Sequence, residues 1–241
     1  MHGTNGSRAI WAPMLRELAR SREVVAVDLP GHGASPPTSL TPPDWAAELA
    51  GLLDDLGLPD PVAVAGHSSG GWAALELAKL GRAQSVLALA PAGLWRRESP
   101  RLTDLGLVAN WRLGRLGGER GIRLLRRPYF RSAALRSLSA RPGDVPVDVA
   151  VAAARAAAGT DHFPAHFAAT RVIRFTGGQA IATEVGVRVI WGDHDRIALR
   201  RASRFTAELP GHARVETWPG CGHMVMWDRR EATVAALLAL A

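Results

Sequence analysis

The stretch Val62-Ala63-Val64-Ala65-Gly66-His67-Ser68-Ser69-Gly70-Gly71-Trp72 decides the fold. Its first half is a short apolar run and reads as a buried strand; its second half, from Ser69 to about Leu80, reads as a helix. Between them lies Gly-x-Ser-x-Gly. A serine on a sharp strand-to-helix turn has strained backbone angles, and side chains at the flanking positions would collide, so glycines are needed there. The turn lifts the Ser68 hydroxyl to the strand's carboxyl end, where the next helix's N-terminus aims partial positive charge.

The pattern repeats outward from this turn. "EVVAVDL" (23–29), "SVLALA" (85–90), "VRVIWG" (187–192) and "ARVETW" (213–218) read as further strands. Helices are predicted over 10–20, from the Thr41 cap to about Leu56, over 198–209 and over 229–241. Apolar strands alternating with helices predict an α/β fold, a mostly parallel sheet covered by helices on both faces. From Pro91 to about Glu184 the alternation stops. Helices broken by Gly117-Gly118, Pro128, Pro142-Gly143, Pro164 and Gly177-Gly178 take over. The expected division is a core of 1–90 and 184–241 with a helical cap, or lid, inserted at 91–183.

An alcohol is a weak nucleophile at neutral pH, so Ser68 needs a base and a group to orient that base. "PGCGHMVMWD" puts His223 in a glycine-flanked loop after the last strand, and "WGDHDRI" puts Asp193 and Asp195 after another. In a parallel sheet both loops open on the edge that carries Ser68.

With "HGTNG" (2–6), "DLPGHGAS" (28–35), "GHSSGG" (66–71), "WGDHD" (191–195) and "GCGH" (220–223), the chain resembles the α/β-hydrolase superfamily over 1–90 and 187–241. The resemblance implies Ser68 as nucleophile, His223 as general base and Asp195, three residues past Gly192, as the orienting acid. Asp193 is the alternative acid. It also implies an oxyanion hole from the backbone N–H groups of Thr4 and Ser69. The expected function is a serine hydrolase acting on a small or medium, fairly apolar carboxylic ester, with no organic cofactor and no metal. Lipase, thioesterase, lactonase, carbon–carbon hydrolase and perhydrolase chemistry stay open. A serine at 68 argues against haloalkane dehalogenation, which in this superfamily uses a carboxylate nucleophile. The alternative is a ligand-binding or interaction protein that keeps the site with negligible turnover.

Other residues have plainer expectations. His32 and Asp28 read as structural, His67 as packed or touching substrate, His194 as solvated, and His162 and His166 as pocket-lining rather than metal-binding. Cys221, the one cysteine, excludes a disulfide framework and reads as a small loop residue. The resembled fold places a strand before "HGTNG", between those of 23–29 and 62–66. The expectation is therefore five strands with a gap, a chain shortened at its N-terminus and poorly stable as it stands, with Met1 ending the lost strand.

The net charge of +7 is carried almost wholly by arginine, and residues 91–141 hold twelve arginines against Glu98, Asp104 and Glu119. Leu102, Leu105, Ala109, Leu113 and Leu116 form an apolar stripe there. One reading packs this stripe on the core with solvated arginines; the other makes a basic face for an anionic substrate or a membrane surface. No recognition motif supports nucleic-acid binding. No run resembles a signal peptide or reaches the roughly 20 apolar residues of a span, which leads to a cytoplasmic expectation.

Overall fold

A computed structural model describes residues 1–58 and 60–240. After a 3₁₀ turn at Arg8–Trp11 come α1 (Ala12–Leu18) and α2 (Pro42–Asp55). Then follow β1 (Val62–His67), α3 (Ser69–Lys79) and β2 (Ala83–Leu89). Four helices succeed them: α4 (Arg101–Leu124), α5 (Pro128–Leu135), α6 (Val147–Ala158) and α7 (Phe163–Thr170). The chain closes with β3 (Gly186–Gly192), α8 (Arg200–Ser203), β4 (Arg214–Trp218), α9 (Val225–Asp228) and α10 (Arg230–Leu238).

The strands form one parallel sheet in the order β1-β2-β3-β4. Side chains alternate across it, as the two-residue period of a strand requires. Val86, Ala88, Val187 and Val189 pack with Trp45 of α2 and with Trp72 and Leu75 of α3. Leu87, Leu89 and Ile190 pack on the other face with Met14 and Leu18 of α1 and Leu237 of α10. Both faces are thereby covered, and the loops leaving the strand carboxyl ends share one edge. Among the described residues no helix is long and apolar enough to cross a membrane.

Three expectations need correction. The segment 23–29 is extended but joins no ladder, so the sheet has four strands among the described residues rather than five. Val24 and Val25 are 37% and 47% exposed. A cleft of about 450 Å³, lined by Val25, Val27, Leu53, Val62 and Ala65, separates this segment from β1. Apolar patterning reports which side chains favour burial; a strand also needs a partner backbone within about 4.8 Å. Among the described residues only Met1 enters that gap as a rung would: its amine donates to the Ala65 carbonyl at 2.8 Å, and its carbonyl accepts from His67 N–H at 3.1 Å.

The helix predicted over 198–209 is broken into α8 and a 3₁₀ turn at Thr206–Glu208, because Arg204 leaves helical angles. Its guanidinium instead donates to the carbonyls of Ala198 and Gly192.

The leucine stripe does not pack on the core. Leu102, Leu105, Leu113 and Leu116 are 70%, 66%, 71% and 85% exposed. The inward contacts of α4 come from the other side: buried Thr103 donates to the Ile197 carbonyl, half-buried Trp111 donates to that of Thr160, and Gly114 lies against Ala157 of α6. Periodicity identifies an amphipathic helix, but the polar side can turn inward when its hydrogen bonds are met there.

Candidate active site

Ser68 sits at φ 53°, ψ −119°, in the left-handed region that ordinary residues avoid. The surrounding glycines hold it there. A Cβ on Gly66 would lie 2.0 Å from the Gly70 carbonyl oxygen, and one on Gly70 would lie 2.2 Å from that of His2. A Cβ on Gly3 would strike the Cβ of Ser68 at 2.7 Å, so the loop 2–6 lies directly against the elbow. Thr4 and Ser69, the two expected oxyanion donors, both line one cavity over Ser68.

His223 and Asp195 meet. His223 Nδ1 lies 3.0 Å from Asp195 Oδ2, and the other carboxylate oxygen accepts from Ile197 and Ala198 N–H, both at 2.8 Å. Burial opposes ionisation of Asp195, but His223 beside it and these hydrogen bonds outweigh burial and hold it below the ordinary carboxylate range. An ionised carboxylate only accepts, so Nδ1 carries a proton, and in the neutral imidazole this leaves the lone pair on Nε2. No hydrogen bond closes between Ser68 and His223 among the described residues. Such contacts are often long in unliganded sites.

Asp193, the alternative acid, points elsewhere: it holds His194 at 2.6 Å and Cys221 N–H at 3.2 Å.

Two cavities meet at Ser68 and His223. The smaller, about 50 Å³, lies against Trp72, Trp95, Thr103 and Phe167. The larger, about 260 Å³, runs under α4 past Leu107, Gly117 and Gly121 to Leu135 and Ala157. Both walls are mainly apolar, as small-molecule pockets commonly are.

A sequence model of the alpha/beta hydrolase family matches residues 1–237. The chain belongs to the alpha/beta hydrolase family. It is similar to an epoxide hydrolase of Mycobacterium tuberculosis, at 33% identity over 182 residues, 73% of this chain and 83% of that one. It also resembles a pimeloyl-acyl-carrier-protein methyl ester esterase of Legionella pneumophila, at 39% identity over 77 residues, 32% of this chain and 29% of the other. Among solved structures, a thermophilic esterase from Thermogutta terrifontis superposes with a TM-score of 0.71 at 21% identity, over 98% of this chain and 86% of that chain. An enol-lactonase from Burkholderia xenovorans gives 0.73 at 20% identity, over 99% and 88%. These two likenesses are of fold.

The remaining histidines of this alpha/beta hydrolase brace its loops. His67 Nε2–H donates to the His223 carbonyl at 3.1 Å, and burial, reinforced by the nearby His223, pushes its pKa down to about 3. His2 donates from Nδ1 to the Gly3 carbonyl and accepts Leu29 N–H on Nε2. His32 donates to the Pro30 carbonyl and has its pKa lowered to about 3 by burial. Asp28 ties loop 28–34 to Arg8 through backbone N–H groups of Arg8 and Ala34. His162 stacks edge-on against His32 at 4.9 Å.

His166, on α7, goes further. Its Nδ1 lies 2.6 Å from the Leu40 carbonyl, which only accepts, so Nε2 is free to accept from the Thr4 hydroxyl at 3.0 Å. Thr4 Oγ1 then accepts from the Ser69 hydroxyl at 2.5 Å. The helical block is thus hydrogen-bonded to the Thr4 hydroxyl and, through it, linked to that of Ser69.

Sequence reasoning missed Asp228. This buried carboxylate accepts from Gly222 N–H at 2.7 Å, Ser139 Oγ at 2.6 Å and Ala140 N–H at 2.9 Å, pinning the His223 loop to the segment before α6. Its position five residues after His223 was the available signal. Cys221 is buried, with burial raising its thiol pKa to about 11, and it touches the Pro219 carbonyl rather than His223.

Proposed function

We propose that this hydrolase cleaves a carboxylic ester, or a related acyl bond, through an acyl-enzyme on Ser68. Ser68 Oγ attacks the carbonyl carbon while His223 Nε2 takes its proton. Asp195 holds the imidazole tautomer and stabilises the imidazolium that forms. The carbonyl oxygen becomes an oxyanion facing the N–H groups of Ser69 and Thr4, where each such donor contributes on the order of 100- to 1000-fold in rate. Collapse of the tetrahedral species expels the alcohol, which leaves with the proton from His223. Water, deprotonated by His223, attacks the acyl carbon; the acid departs and Ser68 recovers its proton.

The observation that carries this reading is the buried Asp195–His223 pair beside a serine held at φ 53°. The alpha/beta hydrolase membership and the esterase among the relatives agree with it. The epoxide hydrolase relative suggests a different bond. Attack of a serine hydroxyl on an epoxide carbon would leave an alkyl ether, which has no carbonyl for water to attack. A serine at 68 therefore favours acyl substrates. Two apolar cavities of unequal size favour an ester with one small and one larger apolar group. In this reading α4 to α7 form a cap over the site.

Fluorophosphonate labelling tests the proposal. Stoichiometric modification lost in Ser68→Ala, with hydrolysis of short p-nitrophenyl esters, is expected. A folded protein that neither labels nor hydrolyses them is a binding protein instead.

A further inference from the structure

The outer face of α4 combines two features that a soluble surface rarely leaves together. Leu102, Leu105, Ala109, Leu113 and Leu116 recur at three- and four-residue spacing, so they lie on one side of the helix along about 21 Å of its length. The four leucines are at least 66% exposed. Contiguous exposed apolar surface of this kind marks an interaction site.

The second feature is unneutralised charge. Of the twelve arginines between residues 91 and 141, only Arg115 forms an ion pair among the described residues, with Asp161. Arg101 and Arg112 are exposed on the same stretch of α4 as the leucines, and Arg120 is exposed just past the kink at Gly118. Just past α4, Tyr129 and Phe130 expose their rings at 81% and 42%. Leucines flanked by arginines, with aromatic side chains close by in the chain, are the composition of a helix lying in the interface of an anionic bilayer.

We propose that the outer face of α4 docks on an anionic lipid surface, leucines entering the acyl boundary and arginines meeting lipid phosphates. A second copy of this chain is the poorer occupant. A two-fold contact would set the same arginine-rich face against itself, with like charges opposed. The same helix walls the larger cavity through Leu107, Gly114 and Gly117 and at the rim through Leu113 of the stripe. Docking would therefore hold that wall at the membrane, where apolar esters partition. The proposal does not depend on which bond the site cleaves.

The test is co-sedimentation of the full chain with vesicles of phosphatidylcholine alone and of phosphatidylcholine with one part in four phosphatidylglycerol. Binding at least about tenfold stronger to the anionic vesicles, and weakened by raised salt, is expected. The variant L102S/L105S/L116S should lose it about tenfold or more while retaining the thermal midpoint and the rate on a soluble short ester, since none of the three lines either cavity. R112Q/R120Q should weaken anionic binding and leave the neutral-vesicle baseline. Equal binding to both vesicles, or binding unchanged in the triple leucine variant, overturns the proposal. So does a concentration-dependent dimer that the triple variant abolishes, which would assign the face to self-association.

Discussion

Thr4→Val is the most informative single change, because it separates a backbone N–H from the hydroxyl beside it. Valine keeps the β-branched shape and the backbone donor but deletes Oγ1. That atom accepts from Ser69 and donates to His166, and both partners are buried. Each buried polar group left without its partner costs about 1–3 kcal/mol, so with two such partners the variant should lose about 2–6 kcal/mol of stability. The sharper consequence is kinetic. If the relay from His166 fixes where the Thr4 N–H points, its loss should lower kcat by about 10- to 100-fold, less than outright removal of an oxyanion donor, with KM little changed. His166→Gln should retain most of the rate, because Gln Oε1 can accept from the Thr4 hydroxyl, whereas His166→Ala should resemble Thr4→Val. A double-mutant cycle between Thr4→Val and His166→Ala, read in kcat on a soluble ester, should show coupling of at least about 1 kcal/mol. The reasoning fails if Thr4→Val lowers the melting midpoint yet leaves kcat intact, or if the two effects simply add. Either result would make the hydroxyl a tether for α7 with no hold on the oxyanion loop.

Asp195→Asn should lower kcat by about 10³- to 10⁴-fold with the fold retained, since an amide there favours the wrong imidazole tautomer; Asp193→Asn should stay within about twofold, and a reversed ranking in steady-state kinetics would exchange the two acids. Acid should destabilise the protein early. His32, His67 and His166 are neutral in the fold, with pKa values lowered to about 3, 3 and 4 by burial first, against about 6.5 unfolded. The unfolded chain therefore binds more protons below pH 6.5. Their stabilisation is full above that pH and is lost as pH falls toward 4, by about 2 kcal/mol per histidine at pH 5; a urea midpoint equal at pH 7 and pH 5 would contradict this. Gly66→Ala places a methyl 2.0 Å from a backbone carbonyl and should cost more than about 3 kcal/mol, seen as insoluble protein or a collapsed melting transition.

What the sequence disclosed was local chemistry with a steric cause. The glycines at 66 and 70 announced a close approach, and the approach is there at 2.0 and 2.2 Å. The family resemblance favoured Asp195, three residues past Gly192, over Asp193, and Asp195 is the acid that reaches His223. What stayed hidden depends on neighbours far along the chain. Val24 and Val25 have the pattern of a strand, yet nothing in their own sequence says whether another backbone runs beside them. The leucines of α4 announce an amphipathic helix, but its polar side finds partners at Ile197 and Thr160, more than 40 residues away. Asp228 is one more charge after a tryptophan in the sequence, and the donors around it come from loops that only the fold brings together.

The cleft beside β1 bears on how the protein should be handled. In a parallel strand alternate residues direct both backbone groups to the same side, so the rung that Met1 makes at Ala65 and His67 turns Ala63 toward the cleft as well. The amide of Ala63 should therefore exchange with deuterium far faster than those of β2. An unpaired apolar margin of this kind is also a template on which concentrated copies pair. The charge of +7 holds such copies apart at low ionic strength. Salt removes that protection, so turbidity should rise with added sodium chloride, and dilute, low-salt buffers should keep the protein in solution.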